Sequence, residues 1–168
     1  SFMLVAAMNP CPCGFHGDIQ HECVCTPSML QRYQTRISGP LLDRIDLHME
    51  VPRVPHKDLA DPLDAEPSAA IRARVEKARQ MQRERFSSFS LHSNAQMQAR
   101  HIRKFCTVDG EGKKLLEMVT DRLGLSARTY SRILKVARTI ADLAGEDEIL
   151  QVHLSEAIQY RELHRKSG

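Results

Sequence analysis

The chain has 168 residues, of which 42% are hydrophobic, so it can hold one ordinary domain or a small helical domain with part of another, and wholesale disorder is excluded. Lysine and arginine outnumber aspartate and glutamate by 24 to 21, and this small excess alone indicates no particular partner. The sequence has neither the ~18–20 consecutive apolar residues that a bilayer requires nor the basic start of a signal peptide, so we expect a cytoplasmic protein without membrane contact.

The first fifty residues carry two segments with strand patterns. Residues 2–8 form a nearly continuous apolar run, which is typical of a strand covered on both faces in a parallel α/β sheet. Because no turn or cap precedes this run, we interpret the chain as a fragment whose other strands lie upstream. A helix is predicted from Pro27 to about Ile37, residues 38–40 break it, and residues 41–51 alternate like a second strand.

A proline-rich, acidic segment separates this part of the chain from the rest. Residues 52–67 contain four prolines and four acids, a composition typical of a linker. The chain is therefore predicted to divide into a first domain over residues 1–55, a linker over 56–68 and a second domain over 69–168.

The second domain has the pattern of a helical bundle. Its apolar residues recur at spacings of three and four, the period of an amphipathic helix. Ser68 can cap the first helix, whose apolar face would include Ile71 and Val75, and Gly124 and Gly145 can end two later helices. The predicted helices cover residues 68–86, 99–105, 110–123, 127–144 and 152–163.

Four of the five cysteines form two close pairs, Cys11 with Cys13 and Cys23 with Cys25, in a loop. Four thiolates suit the tetrahedral coordination of zinc, and a reducing cytoplasm disfavours disulfides. A loop of this size has no core of its own and would gain folding energy from the metal, so the predicted role of Zn²⁺ is structural. Two alternatives stay open: a mixed site that uses a histidine of the loop, and reactive or merely buried thiols.

Three segments resemble the motifs of one family. Residues 4–14 (LVAAMNPCPCG) resemble the sensor-1 strand and following loop of the magnesium-chelatase-like AAA+ ATPases of the ComM/YifB type. Residues 38–47 (SGPLLDRIDL) are similar to the arginine-finger segment of that family, and residues 124–143 to its sensor-2 helix. The resemblance covers nearly the whole chain. It implies an α+β fold: the C-terminal piece of an AAA+ α/β core with a zinc loop, followed by a mainly helical lid.

The resemblance also implies a function and three site residues. The family forms ATP-driven rings, usually hexamers, that act on DNA, and ComM-type members are associated with branch migration in recombination and natural transformation. By the same resemblance, Asn9 and Arg128 would contact the nucleotide, and Arg44 would reach the nucleotide of the neighbouring subunit. An arginine supplied in this way stabilises charge on the transferred phosphoryl oxygens. The implied cofactors are ATP and Mg²⁺, both in the full-length protein.

Each of these residues also has a simpler interpretation. Asn9 can merely cap a turn at the end of its strand. Arg44 can pair with a neighbouring aspartate, Asp43 or Asp46. Arg128 can be a plain surface residue. Its rivals for the sensor role on the same helix are Arg132 and Arg138.

The sequence contains no phosphate-binding loop of the G-x-x-x-x-G-K-[ST] type, and residues 110–113 (GEGK) only echo one. We therefore expect this chain alone not to hydrolyse ATP. Two other functions stay open. One is a chelatase subunit that uses ATP to drive metal insertion into a porphyrin, and the other is a non-catalytic, zinc-stabilised DNA-binding module.

Positive charge is concentrated between Arg72 and Lys104. Nine lysines and arginines occur there against two acids, Glu76 and Glu84, a density that can follow DNA phosphates. The segment is interpreted as lacking the interleaved aromatic residues that stack on bases. A solvated or subunit-facing surface is therefore the competing interpretation.

Overall fold

The computed structural model describes residues 3–52, 54 and 66–162. It divides into two compact units. The first comprises Ser1–Ile45 with Val51–Val54, and the second comprises Asp46–Glu50 with Pro55–Gly168. Most of the predicted linker over residues 56–68 lies outside the described residues.

The first unit consists mainly of loops and turns around two short helices, α1 (Pro27–Gln34) and α2 (Gly39–Leu42). The Thr26 side chain caps α1 by accepting the N–H of Met29, and Pro27 suits the first helical position because its fixed φ is already helical. Among the described residues of this unit, Cys11 is the one that is buried. The described part of this unit therefore has no hydrophobic core of the ordinary kind.

The two predicted strands do not occur among the residues that the structure describes, so the fold shown is mainly helical and the β part of the predicted α+β fold is not shown. Residues 3–8 are exposed and belong to no strand, while residues 1–2 lie outside the description. Residues 41–51 begin in α2 and continue without regular structure. A strand needs a neighbour for its backbone hydrogen bonds and cover for its apolar faces, and the described chain supplies neither.

The five predicted helices of the second unit are confirmed, with boundaries within two residues of those expected. The helices are α3 (Ser68–Arg85), α4 (Ala99–Phe105), α5 (Gly110–Leu123), α6 (Ala127–Ala144) and α7 (Gln151–Glu162). A 3₁₀ turn at Asn94–Gln96 lies between α3 and α4. One isolated parallel bridge joins Val108 to Ile149.

The helix ends follow from local chemistry. Ser126 caps α6 by accepting the N–H of Thr129, and Asp109 caps α5 by accepting the N–H of Gly112 at 2.7 Å. Gly124 and Gly145 end α5 and α6 with φ of 55° and 81°, the left-handed conformation that favours glycine. Residues 110–113 (GEGK), which partly resemble a phosphate loop in sequence, form the first turn of α5, and Asp109 caps that turn.

Helix α6 is the centre of the second unit, because α3, α4, α7 and the 3₁₀ turn all pack against it. Its apolar face of Ile133, Leu134 and Ala137 is buried, as the sequence predicts. The first half of α3 departs from expectation: Ile71 is 41% exposed and Val75 is 43% exposed. Among the described helices, none has the length and apolar character to cross a membrane.

Candidate metal centre and arginine sites

The four paired cysteines come together in the first unit. The Sγ atoms of Cys11 and Cys13 lie 3.3 Å apart. The Sγ atom of Cys23 lies 3.8 Å from that of Cys11 and 3.6 Å from that of Cys13. With Cys25 included, all four sulfurs fall within 4.8 Å of one another. A tetrahedron with ~2.3 Å zinc–sulfur bonds has edges of ~3.8 Å, so the sulfurs are spaced to hold one such ion.

The pKa values of two thiols in this cluster are shifted in opposite directions. A backbone hydrogen bond at Phe15 lowers the pKa of Cys13 to about 6. Hydrogen bonding with the Cys13 backbone lowers the pKa of Cys25, but desolvation and the neighbouring thiols outweigh it and raise the value to about 12. A bound divalent ion reverses this conflict, because its charge stabilises each thiolate.

The tip of the cysteine loop is held by its own contacts. Asp18 accepts the N–H groups of Gln20 and His21 with one carboxylate oxygen, at 2.7 and 3.1 Å. The His21 ring stacks on Phe15 at 4.9 Å between centroids. In the part of the chain that the structure describes, the group of mutually close ligands contains the four cysteines and neither His16 nor His21. This grouping favours the four-cysteine site over the mixed alternative.

Asn9 and Arg44, the two predicted nucleotide-site residues of the first unit, are both exposed. Asn9 directly precedes the cysteine loop, and its side-chain nitrogen lies 3.9 Å from the position that a Cβ at Gly14 would take. Arg44 donates from Nη1 to the carbonyl of Pro40 at 2.9 Å, which holds it against the last turn of α2. The catalytic roles of both residues stay predictions.

Of the three arginines considered for the sensor role on α6, Arg128 is exposed in the first turn of the helix. Arg132 forms an ion pair with Asp46 at 3.2 Å, so one alternative partner of Arg44 is engaged elsewhere. Arg138 is 2% exposed and donates to the carbonyl of Asp147, which makes it a structural residue. Arg128 is the candidate whose position suits contact with a ligand, and its role also stays a prediction.

A buried polar network, which sequence reasoning missed, joins α3, α6 and the 3₁₀ turn. At its centre lies Asp142, which is 1% exposed. Its carboxylate accepts from Arg138 Nε at 3.0 Å, from Arg85 Nη1 at 2.8 Å, from Asn94 Nδ2 at 2.7 Å and from Gln82 Nε2 at 3.2 Å. Burial lowers the pKa of Arg138, and the charge of Asp142 opposes that shift.

The basic segment is divided by the structure rather than forming one face. Arg85 belongs to the buried network, and Arg74 pairs with Glu66 at 2.7 Å on the surface. The interpretation that this segment lacks aromatic interleaving is wrong. Lys104 Nζ lies 5.2 Å from the ring centroids of both Phe89 and Phe105.

Two protein families together match most of the chain. Residues 65–161 match the magnesium chelatase subunit ChlI C-terminal family, and residues 1–59 match the magnesium chelatase subunit ChlI family.

Curated relatives are similar over almost the whole chain. The competence protein ComM of Haemophilus influenzae is 44% identical over 165 residues, which are 98% of this chain and 31% of that protein. The uncharacterized protein YifB is 42% identical in Escherichia coli and 41% identical in Salmonella typhimurium, with the same coverage. The chain therefore spans about a third of the length of these relatives. On these matches, the chain belongs to the magnesium-chelatase-like AAA+ family of the ComM/YifB type.

Proposed function

We propose that this chain is part of an AAA+ ATPase motor that acts on DNA and drives branch migration during recombination and natural transformation. The observation that carries the proposal is the 44% identity, over 98% of the chain, to a protein named for competence. The motor works as a ring of identical subunits, and a hexamer is the expected size.

In this proposal the nucleotide lies between two subunits. Asn9 and Arg128 of one subunit contact the ATP of that subunit, and Arg44 contacts the ATP held by the neighbour. When bound with Mg²⁺, ATP supplies the phosphoryl group whose transfer drives the motor. The exposure of all three side chains supports these roles, because each can reach a ligand without unfolding its surroundings.

The motor function is tested with the full-length protein and a labelled four-way DNA junction. We expect ATP hydrolysis that DNA stimulates, and conversion of the junction into duplex products that depends on ATP. ATP-dependent insertion of metal into a porphyrin, without action on the junction, would instead establish the chelatase function. DNA binding without ATP hydrolysis would establish the non-catalytic module.

The cysteine cluster is proposed to bind one structural Zn²⁺ through Cys11, Cys13, Cys23 and Cys25. The sulfur spacings support this assignment, as does the fact that Cys11 is the one buried residue in the described part of the first unit. The ion would supply the folding energy that a hydrophobic core supplies elsewhere. Four thiolates leave no open position for catalysis by the metal.

Protein purified without a metal-binding tag is expected to contain about one zinc per chain, measured by elemental analysis, because four thiolates complete one site. Cys11→Ser should lose most of this zinc and make the loop sensitive to protease. Cys106→Ala is the matched control, because Cys106 is a buried cysteine of the helical unit and lies outside the cluster. Equal zinc content in the two variants would contradict the assignment.

A further inference from the structure

A cleft of about 340 Å³ opens in the second unit beside the loop that follows α3 and the start of α4. Ser88 and Ser90 contribute hydroxyl groups to its wall, Phe89 contributes an aromatic ring, and Arg100 and His101 contribute nitrogen donors. None of the three site residues predicted from the sequence lines this cleft. Its size falls within the range of ~300–1,000 Å³ that is usual for ligand sites.

The segment that forms the cleft is positive and contains no acid. Between Glu84 and Asp109 the sequence has no aspartate or glutamate. Within this segment, Arg85 pairs with the buried carboxylate of Asp142, which it shares with Arg138. The remaining lysines and arginines of the segment are Arg100, Arg103 and Lys104, all exposed. The chemistry of the cleft therefore favours an anion.

The protonation of His101 leaves two hydrogen-bond donors facing each other. The ring is 3% exposed, and its Nδ1 accepts the backbone N–H of Gln98 at 3.0 Å, so Nδ1 carries no proton. Burial, with a smaller effect from the Arg100 charge, lowers the pKa of His101, and the neutral ring must carry its proton on Nε2. Arg100 Nε directs its N–H at that Nε2 as a donor, at 3.2 Å, and a ring that accepts at Nδ1 cannot also accept there.

Two N–H groups that face each other need an acceptor. A phosphate oxygen beside His101 Nε2 and Arg100 Nε would accept from both and would place its charge next to the guanidinium. The hydroxyls of Ser88 and Ser90 are further donors in the lining of the cleft.

The aromatic part of the cleft lining suits a base or a sugar rather than a second phosphate. Phe89 is half-buried and lines the cleft, and its ring edge-packs against His101 and Phe105 at 5.3 and 5.6 Å between centroids. Lys104 Nζ stands over the Phe89 ring at 5.2 Å, so a positive charge borders the aromatic surface. Combinations of cations and aromatic rings are typical of sites for single-stranded nucleic acid.

We propose that this cleft binds one nucleotide of single-stranded DNA. Its phosphate contacts Arg100 and His101, and its base or sugar lies against Phe89. The inference rests on the proposed DNA motor and names the surface that holds an unpaired strand. A duplex is disfavoured, because a paired and stacked base cannot turn into a cleft of this size.

The test measures binding of a fluorescein-labelled oligothymidylate to the 168-residue chain by fluorescence anisotropy, at several salt concentrations and without ATP. The double variant Arg100→Gln/Lys104→Gln is expected to bind about tenfold or more weakly. The slope of log affinity against log salt concentration should become shallower by about 0.7, the contribution of one phosphate contact to a single strand. Phe89→Leu should weaken binding without changing the slope.

Two further double variants remove the same charge from other places. Lys114→Gln/Arg122→Gln acts on exposed positions of α5, and Arg79→Gln/Arg83→Gln acts on exposed positions of α3. Thermal melting establishes that each variant is folded. The cleft is supported if its variant weakens binding more than both others. It is overturned if the three weaken binding equally, if the α3 variant has the largest effect, or if the wild-type chain does not bind.

Inorganic phosphate serves as the competitor that separates a phosphate site from a nucleotide site. It should displace the oligothymidylate only at far higher concentration, and displacement at equal phosphate concentration would overturn the proposal. Oligothymidylate binding is measured without ATP, so it is independent of the junction assay. A failure of the cleft proposal therefore does not contradict the motor function, and a failure of the motor function does not change the binding result.

Discussion

Replacing Arg44 by alanine in the full-length protein is expected to leave ATP binding and ring assembly nearly normal and to remove most ATP hydrolysis. An arginine that acts on a neighbour's nucleotide contributes little to ground-state binding and stabilises the transition state by about three to five orders of magnitude in rate. Arg44→Lys should rescue poorly, because an ammonium group cannot span two oxygens as a planar guanidinium does. Steady-state hydrolysis and nucleotide titration measure the two effects separately.

Mixing two inactive variants establishes whether Arg44 acts between subunits. Arg44→Ala is combined with a variant disabled in the phosphate loop of the full-length protein. Each lacks a different half of the shared site, so mixed rings regain sites in which an intact loop faces an intact Arg44. If mixed rings form without any recovery of hydrolysis, Arg44 acts within its own subunit. Its hydrogen bond to the Pro40 carbonyl would then be its main role.

Replacing Asp142 by alanine is expected to lower the free energy of unfolding of the helical unit by about 3–5 kcal/mol, because it leaves buried guanidinium groups without their counter-charge. Arg138 is 2% exposed, and the Arg85 side chain is 13% exposed, so water cannot replace the lost carboxylate. Urea unfolding followed by the helical circular dichroism signal measures the effect. Asp142→Asn should also destabilise the unit, since it keeps the shape and removes the charge.

The Arg74–Glu66 ion pair provides the matched control for Asp142. Both side chains are about half exposed, at 49% and 44%, although the contact is a close one at 2.7 Å. Arg74→Ala should therefore cost under about 1 kcal/mol. A comparable loss in Asp142→Ala and Arg74→Ala would mean that the network is not desolvated in solution.

The helices of the second unit were predictable because their signals are local. Ser126 and Gly145 bracket α6, and both act through contacts within one turn of the helix end. The strand predictions were not met because a strand depends on distant parts of the chain. An apolar run becomes a strand only when another strand pairs with it. The predicted apolar face of α3 is also exposed at Ile71 and Val75. Their helical spacing is correct, but the described chain packs nothing closely against them.

The metal cluster was predictable and the polar network was not. Cys11, Cys13, Cys23 and Cys25 lie within fifteen residues, so a loop can bring them together without long-range contacts. Arg85 and Asp142 are 57 residues apart, and no local pattern links them. The cleft was missed because Phe89 and Arg100 come together only when the loop folds back onto α4.

The uneven burial of α3 has a consequence for the entropy of binding. From Ser68 to Lys77 every residue is exposed, and the helix meets the core only from Ala78 onward. A helical segment of this length has little stability without packing, so its first turns fray easily and exchange their amide hydrogens faster than those of α6. A partner that covered Arg72 would have to order those turns, and the conformational entropy lost would weaken its binding. The cleft at Phe89 rests on buried neighbours and avoids that loss.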